Sequence, residues 1–141
     1  MGFSLIAAAA ILGVTLFMAV EIIVSDVLPT IEEMNTAYVE MKDRVNEQIQ
    51  TGISITGVSR TLNGTIFEYT LSVENTGSIT LCTNDFVILI NGSKCDFSCS
   101  YDYLYPANNA SFVVSNQIGD GLKRMKVITN NGIEDYYTYS P

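Results

Sequence analysis

From Gly2 to Val20 this chain carries no charged side chain: Gly2-Phe3-Ser4-Leu5-Ile6 runs into four alanines, Ala7 to Ala10, and on through Leu12, Val14, Leu16 and Phe17. At about 1.5 Å of rise per residue, such a run crosses a hydrocarbon core of ~30 Å as a helix. Residues 1–25 are therefore expected to form a transmembrane signal anchor, with all that follows on one side of the membrane. A cleaved secretory signal would need a basic residue first, a shorter apolar stretch of roughly 7–15 residues and small residues at its end. The first basic residue here is Lys42, and Ala8 and Ala10 fall inside the run. An uncleaved anchor is the expected outcome. Ala9 and Gly13 stand in small-xxx-small spacing, which either lets two membrane helices approach closely or reflects ordinary residues of an apolar helix. Glu21, at the end of the run, suits the outer headgroup level.

Asp+Glu number 15 against 7 Lys+Arg, a net charge of −8. Such a surface repels phosphate backbones, so nucleic acid is not an expected partner. His and Trp are both 0. Without His the commonest general base and metal ligand is missing, and the chain is not expected to be an enzyme. The remaining chemical candidates are poor. Asp96 and Asp102 flank Cys99, and Tyr101, Tyr103 and Tyr105 alternate after it, the pattern of a strand with tyrosines on one face. Cys82, Cys95 and Cys99 lack a fourth strong ligand and the CxxC spacing of a zinc site. No loop is acidic enough for calcium. No catalytic, cofactor-binding or metal residue is expected.

Residues 26–49 change character. Ile31, Met34, Tyr38, Met41 and Val45 recur with steps of three and four, the seam of an amphipathic helix. Glu32, Glu33, Glu40, Lys42, Asp43, Arg44 and Glu47 keep the other faces wet. This helical stalk is expected to pair through its seam with another helix, the alternative being a fold-back on its own β-domain. Pro29 should kink the helix or restart it.

From residue 50 to 141 the period is two. Ile53 to Val58, Ile66 to Val73, Leu81 to Cys82, Phe86 to Ile90, Ser111 to Val114, Met125 to Thr129 and Tyr136 to Tyr139 read as strands. Turn signals separate them: Asn63-Gly64, Asn75-Thr76-Gly77, Asn91-Gly92, Pro106, Gly119-Asp120-Gly121 and Asn131-Gly132. The expected fold is mainly β with a long N-terminal α-helix: one transmembrane helix, a helical stalk and an immunoglobulin-like antiparallel β-sandwich. Asn63, Asn91 and Asn109 each open an Asn-X-Ser/Thr glycosylation acceptor, and with the clustered cysteines they favour an extracytoplasmic domain.

A two-residue turn at Asn91-Gly92 sets Ile90 opposite Ser93. Continued outward, that register puts Cys82 opposite Tyr101 and Cys99 opposite Asn84, so Cys82 and Cys99 become diagonal neighbours and the expected disulfide pair, with Cys95 free. A strand break after Lys94 would instead bring Cys95 and Cys99 together in a loop, and three reduced cysteines is the remaining state.

Four segments then resemble one family. They are Met1-Gly2-Phe3-Ser4 before the apolar helix, Val73-Glu74-Asn75-Thr76-Gly77-Ser78 with Leu81, Val87-Ile88-Leu89-Ile90-Asn91-Gly92, and Met125-Lys126-Val127-Ile128-Thr129 with Asn131-Gly132-Ile133. The chain resembles the archaeal flagellar (archaellum) accessory or stator protein F family, with the sister protein G as near alternative. One departure is Asn91, where the family has aspartate; another is the cysteine cluster. The resemblance implies a β-sandwich anchored in the cell membrane, standing in the archaeal pseudo-periplasm and binding the surface-layer protein to hold the motor stator. It also implies contact with the sister accessory protein, or with itself, through stalk and sandwich. The rival is a filament subunit of archaellin or type IV pilin type. Those subunits carry a basic leader and, in many pilins, a glutamate five residues after the cut; a cut after Gly2 would put Ala7 there.

Overall fold

The sequence's first feature becomes a helix in the computed structural model, which describes residues 2–141. Helix α1 covers Gly2–Ile22, a single π-helical turn covers Ile23–Val27, and α2 covers Leu28–Gln50. The interruption sits where Pro29 lacks an N–H, so the Ser25 carbonyl has no α-helical donor four residues on. The helix answers with a wider turn, in which the Leu28 N–H bonds the Ile23 carbonyl five residues back. The expected restart at Pro29 is thus one π turn. Among the described residues this is the one helix long and apolar enough to cross a membrane. The seam residues Ile31, Met34, Tyr38, Met41 and Val45 are all exposed.

The chain divides into two compact units, one ending at Asp43 and the other covering Arg44–Pro141. The last turns of α2 therefore belong with the strands. These are β1 (Ile53–Asn63), β2 (Ile66–Asn75), β3 (Leu81–Cys82), β4 (Val87–Ile90), β5 (Ser93–Cys95), β6 (Ser98–Cys99), β7 (Tyr103–Leu104), β8 (Asn109–Gln117), β9 (Lys123–Ile128) and β10 (Glu134–Tyr139). One antiparallel sheet has the order β1-β2-β8-β6, the other β10-β9-β4-β5, and β3 pairs with β7 in a short ladder. This is the mainly β architecture behind a long N-terminal helix that the periodicities describe.

Alternation decides what is buried. Tyr69, Leu71 and Val73 of β2 and Phe112 and Val114 of β8 face Ile88 and Ile90 of β4 and Met125 and Val127 of β9 in one core. Each large apolar side chain removed from water there stabilises the fold by about 1.5–3 kcal/mol. Phe86 stacks on Phe112 with ring centroids 5.3 Å apart, and Phe97 meets Phe112 edge-on at 5.4 Å.

The stretch from Leu81 to Leu104 departs from expectation. The β4–β5 turn is as its Asn-Gly requires, with Asn91 at φ 51° and Gly92 at φ 86°, and Ile90 stands opposite Ser93 and Ile88 opposite Cys95. The ladder then stops. Cys82 stands opposite Tyr103, not Tyr101, and Cys99 stands opposite Phe112 in the other sheet, not Asn84. Two burial events break the register. A 3₁₀ turn over Thr83–Asp85 buries Thr83, whose N–H bonds the Asp102 carbonyl at 3.0 Å and whose hydroxyl bonds the Tyr101 carbonyl. Asp96 and Phe97 carry the chain from one sheet to the other, which sets Phe97 against the core. The ladder from which a Cys82–Cys99 pair follows is therefore not formed, and Cys82, Cys95 and Cys99 are each half-buried.

Candidate functional site at the helix-to-sandwich joint

A helix that ends leaves its last carbonyls without intrahelical donors. At the end of α2 the hydrogen-bond partners come from two β-turns far along the chain. The Gln50 carbonyl accepts the Ser78 N–H at 2.8 Å. The Gly52 carbonyl accepts two N–H groups, from Thr76 at 2.9 Å and Gly77 at 3.2 Å. Both glycines ease this approach, Gly77 more than Gly52. A β-carbon on Gly77 would meet the Gln50 carbonyl oxygen and would lie 2.5 Å from the Gly52 nitrogen; one on Gly52 would lie 2.6 Å from Thr76 Oγ1.

Asn75 is fully buried under this turn and is saturated with hydrogen bonds. Its Nδ2 donates to the Ile79 carbonyl at 2.7 Å and the Leu104 carbonyl at 3.0 Å, while its Oδ1 accepts the Gly77 N–H at 3.0 Å. Its backbone N–H donates to the Asn108 carbonyl at 3.0 Å and its carbonyl accepts the Ala107 N–H at 2.9 Å. Asn suits the position because one short amide supplies both donors and the acceptor of the turn.

The second turn, Thr129 to Ile133, closes with the Gly132 N–H on the Thr129 carbonyl at 3.0 Å and Gly132 at φ 84°. From it a relay runs back to the helix. The Thr129 hydroxyl lies 2.6 Å from Asn131 Oδ1, Asn131 Nδ2 donates to Thr51 Oγ1 at 2.5 Å, and that hydroxyl donates to the Glu47 carbonyl at 2.7 Å. Gln48 Nε2 adds a bond to the Asn131 carbonyl at 2.8 Å. Such chains of donors polarise one another and hold a geometry more tightly than separate bonds. At the nearby edge the Ile55 N–H, beside the bulge in β1, bonds Asp135 Oδ2 of β10 at 2.8 Å.

Two of the four segments that carry the family resemblance, 73–78 and 125–133, thus make the fastening of helix to sandwich. Gln48, Thr51 and Gly52 complete it and are not among the candidates read from the sequence. Their signal there is faint: a Thr-Gly pair just beyond a helical seam.

The other candidates lie apart from this joint. Asn63, Asn91 and Asn109 are exposed, the first at the tip of the β1–β2 hairpin and the second in the β4–β5 turn. Asn91 Oδ1 accepts the Arg124 N–H at 2.9 Å. Cys95 Sγ accepts a weak bond from Gln117 Nε2 at 3.6 Å. On the outer face of the second sheet Lys126 pairs with Glu134, and Tyr136 Oη donates to Glu134 Oε1 at 2.9 Å. The Lys126 bond, then the Tyr136 bond, holds the Glu134 carboxyl below the usual carboxylate range; the Glu134 bond, then the Tyr136 bond, raises Lys126. Among the described residues no group of three metal-ligating side chains converges.

No family profile matches the chain, and no curated protein sequence matches it. Among solved structures it is similar to the archaellum periplasmic stator protein FlaG from Sulfolobus acidocaldarius, with a TM-score of 0.51 and 15% identity, over 63% of this chain and 99% of that one. At that identity the likeness shows a shared fold. The fold expected from the sequence resemblance is thus found in a solved archaellar accessory protein, of the G kind, and the likeness does not separate F from G.

Proposed function

We propose that this chain is a non-enzymatic, membrane-anchored component of the archaellum machinery. Its β-sandwich stands outside the cytoplasm, in the archaeal pseudo-periplasm, and binds the surface-layer protein to hold the stationary part of the motor. The observation that carries the reading is the fold shared with a protein described as a periplasmic stator of the archaellum. Two physical features support it. The apolar run of α1 suits a single-span anchor. The joint suits a part that bears load, because a helix fastened by two turns and an unbroken relay resists bending better than one joined by a loop.

The exposed seam Ile31, Met34, Tyr38, Met41 and Val45 is the surface through which the stalk meets a sister accessory protein or a second copy. Met34→Glu or Met41→Glu should then weaken association in sedimentation of the full-length protein in detergent.

Removal of the gene from an archaeal host tests the reading. Swimming should be lost and should return with the full-length chain but not with residues 44–141 alone, which lack the anchor. Normal swimming of the deletion strain would contradict it.

A further inference from the structure

The three acceptor asparagines have different surroundings. Asn63 sits at the tip of the β1–β2 hairpin, and Asn91 lines a groove beside Arg124 and Lys126 with its Oδ1 already taken by the Arg124 N–H. Asn109, the first residue of β8, opens onto a groove of about 420 Å³ whose walls are Tyr101, Tyr103 and Tyr105 and whose floor is Leu104. The three rings are 62%, 56% and 56% exposed, whereas Leu104 is 2% exposed. Aromatic rings grouped on a surface mark a place where something apolar on one side and polar on the other is meant to rest. We propose that Asn109 carries an N-linked glycan and that its first sugars lie in this groove, their C–H faces on the tyrosine rings.

Three further observations fit that occupant. The Asn109 side-chain amide makes no hydrogen bond among the described residues, so Nδ2 is free for attachment, and Ser111, the acceptor's third residue, is exposed. The backbone beneath Leu104 and Tyr105 is tied down before any sugar arrives. The segment from Leu104 to Asn108 is held by Asn75 through the Leu104 carbonyl, the Ala107 N–H and the Asn108 carbonyl, and the Asn108 N–H closes a turn on the Tyr105 carbonyl at 3.1 Å. Preordering of this kind lowers the entropic cost of packing a flexible glycan. Finally, the groove holds no Lys or Arg and offers Asn108 and the tyrosine hydroxyls as polar partners. That chemistry selects neutral hexose or N-acetylhexosamine units over acidic sugars.

The inference rests on the extracytoplasmic placement proposed above, and the test separates the two. Full-length protein from the native envelope is mapped for glycopeptides, and its tyrosines are nitrated with tetranitromethane beside the Asn109→Gln and Ser111→Ala variants. Occupied Asn109, with nitration of Tyr101, Tyr103 and Tyr105 rising several-fold in both variants, supports the proposal. Occupied Asn109 with nitration unchanged overturns it. So does protection that persists in both variants, which would assign the groove to a protein partner. A bare Asn109 in a domain that protease removes from intact cells overturns the glycan and leaves the placement standing. Protease resistance on intact cells with all three asparagines bare overturns both.

Discussion

Gly77 and Gly52 meet through bare α-carbons: a β-carbon on Gly77 would lie 2.5 Å from the Gly52 nitrogen, and one on Gly52 would lie 3.2 Å from the Gly77 nitrogen. The two substitutions are not equivalent. On Gly77 the obstructing atoms are all backbone, so Gly77→Ala forces the turn away from the helix end. A loss of about 2–3 kcal/mol is expected. On Gly52 the tightest contact is the movable Thr76 Oγ1, and Gly52→Ala should cost about 1 kcal/mol, partly restored by Thr76→Ala. Urea unfolding of residues 44–141 gives both values; equal losses would contradict the asymmetry.

Asn75 makes its case through unsatisfied partners. Asn75→Leu keeps the branched shape but removes the donor to the Ile79 and Leu104 carbonyls and leaves the Gly77 N–H with the Gly52 carbonyl alone. The expected loss is about 2–4 kcal/mol, summed over the orphaned groups. Asn75→Asp should be no better, since it restores the acceptor but faces two carbonyl oxygens with a buried carboxylate. Thermal unfolding checks the order; an Asp variant as stable as wild type would contradict it.

The joint also decides where the β-domain can be cut. A fragment beginning at Arg44 keeps Gln48, Gln50, Thr51 and Gly52, whereas one beginning at Ile53 loses all four together with the bonds to Thr76, Gly77, Ser78 and Asn131. Calorimetry should show a clearly lower midpoint for the shorter fragment. Equal midpoints would mean that the helix end contributes nothing to the sandwich.

The Lys126, Glu134 and Tyr136 group sets a pH dependence of known sign. Glu134 is depressed in the folded state, so its contribution is present above the ordinary carboxylate value and is lost as pH falls through the lower folded value. Lys126 is raised, so its contribution is present below the ordinary lysine value and is lost as pH rises through the higher folded one. The pair is at the surface and weakens with salt. Carboxyl titration by NMR should show Glu134 moving up toward the ordinary range in Lys126→Met, with the Tyr136 bond holding part of the shift. An unmoved titration would contradict the assignment of Lys126 as the main cause.

Local signals were the legible ones. The apolar run, the seam, the alternation of β2 and the Asn91-Gly92 turn each depend on a few consecutive residues, and each appears where periodicity or turn chemistry puts it. The stretch from Leu81 to Leu104 was not legible, because its register is set by the burial of Thr83 and Phe97 rather than by a turn. The joint was half legible. Asn75-Thr76-Gly77 and Asn131-Gly132 announce turns, but nothing local says that the first serves the Gln50 and Gly52 carbonyls and that the second bonds Gln48 and Thr51. That pairing exists only once the sheets have formed.

Cross-linking of the native envelope, followed by capture of the full-length chain through a C-terminal tag, tests the central claim most directly. The account predicts recovery of the surface-layer protein, with the chain itself in small numbers and its apolar N-terminal run retained. Recovery of the chain in long polymers without the surface-layer protein would contradict it and assign the chain to the filament.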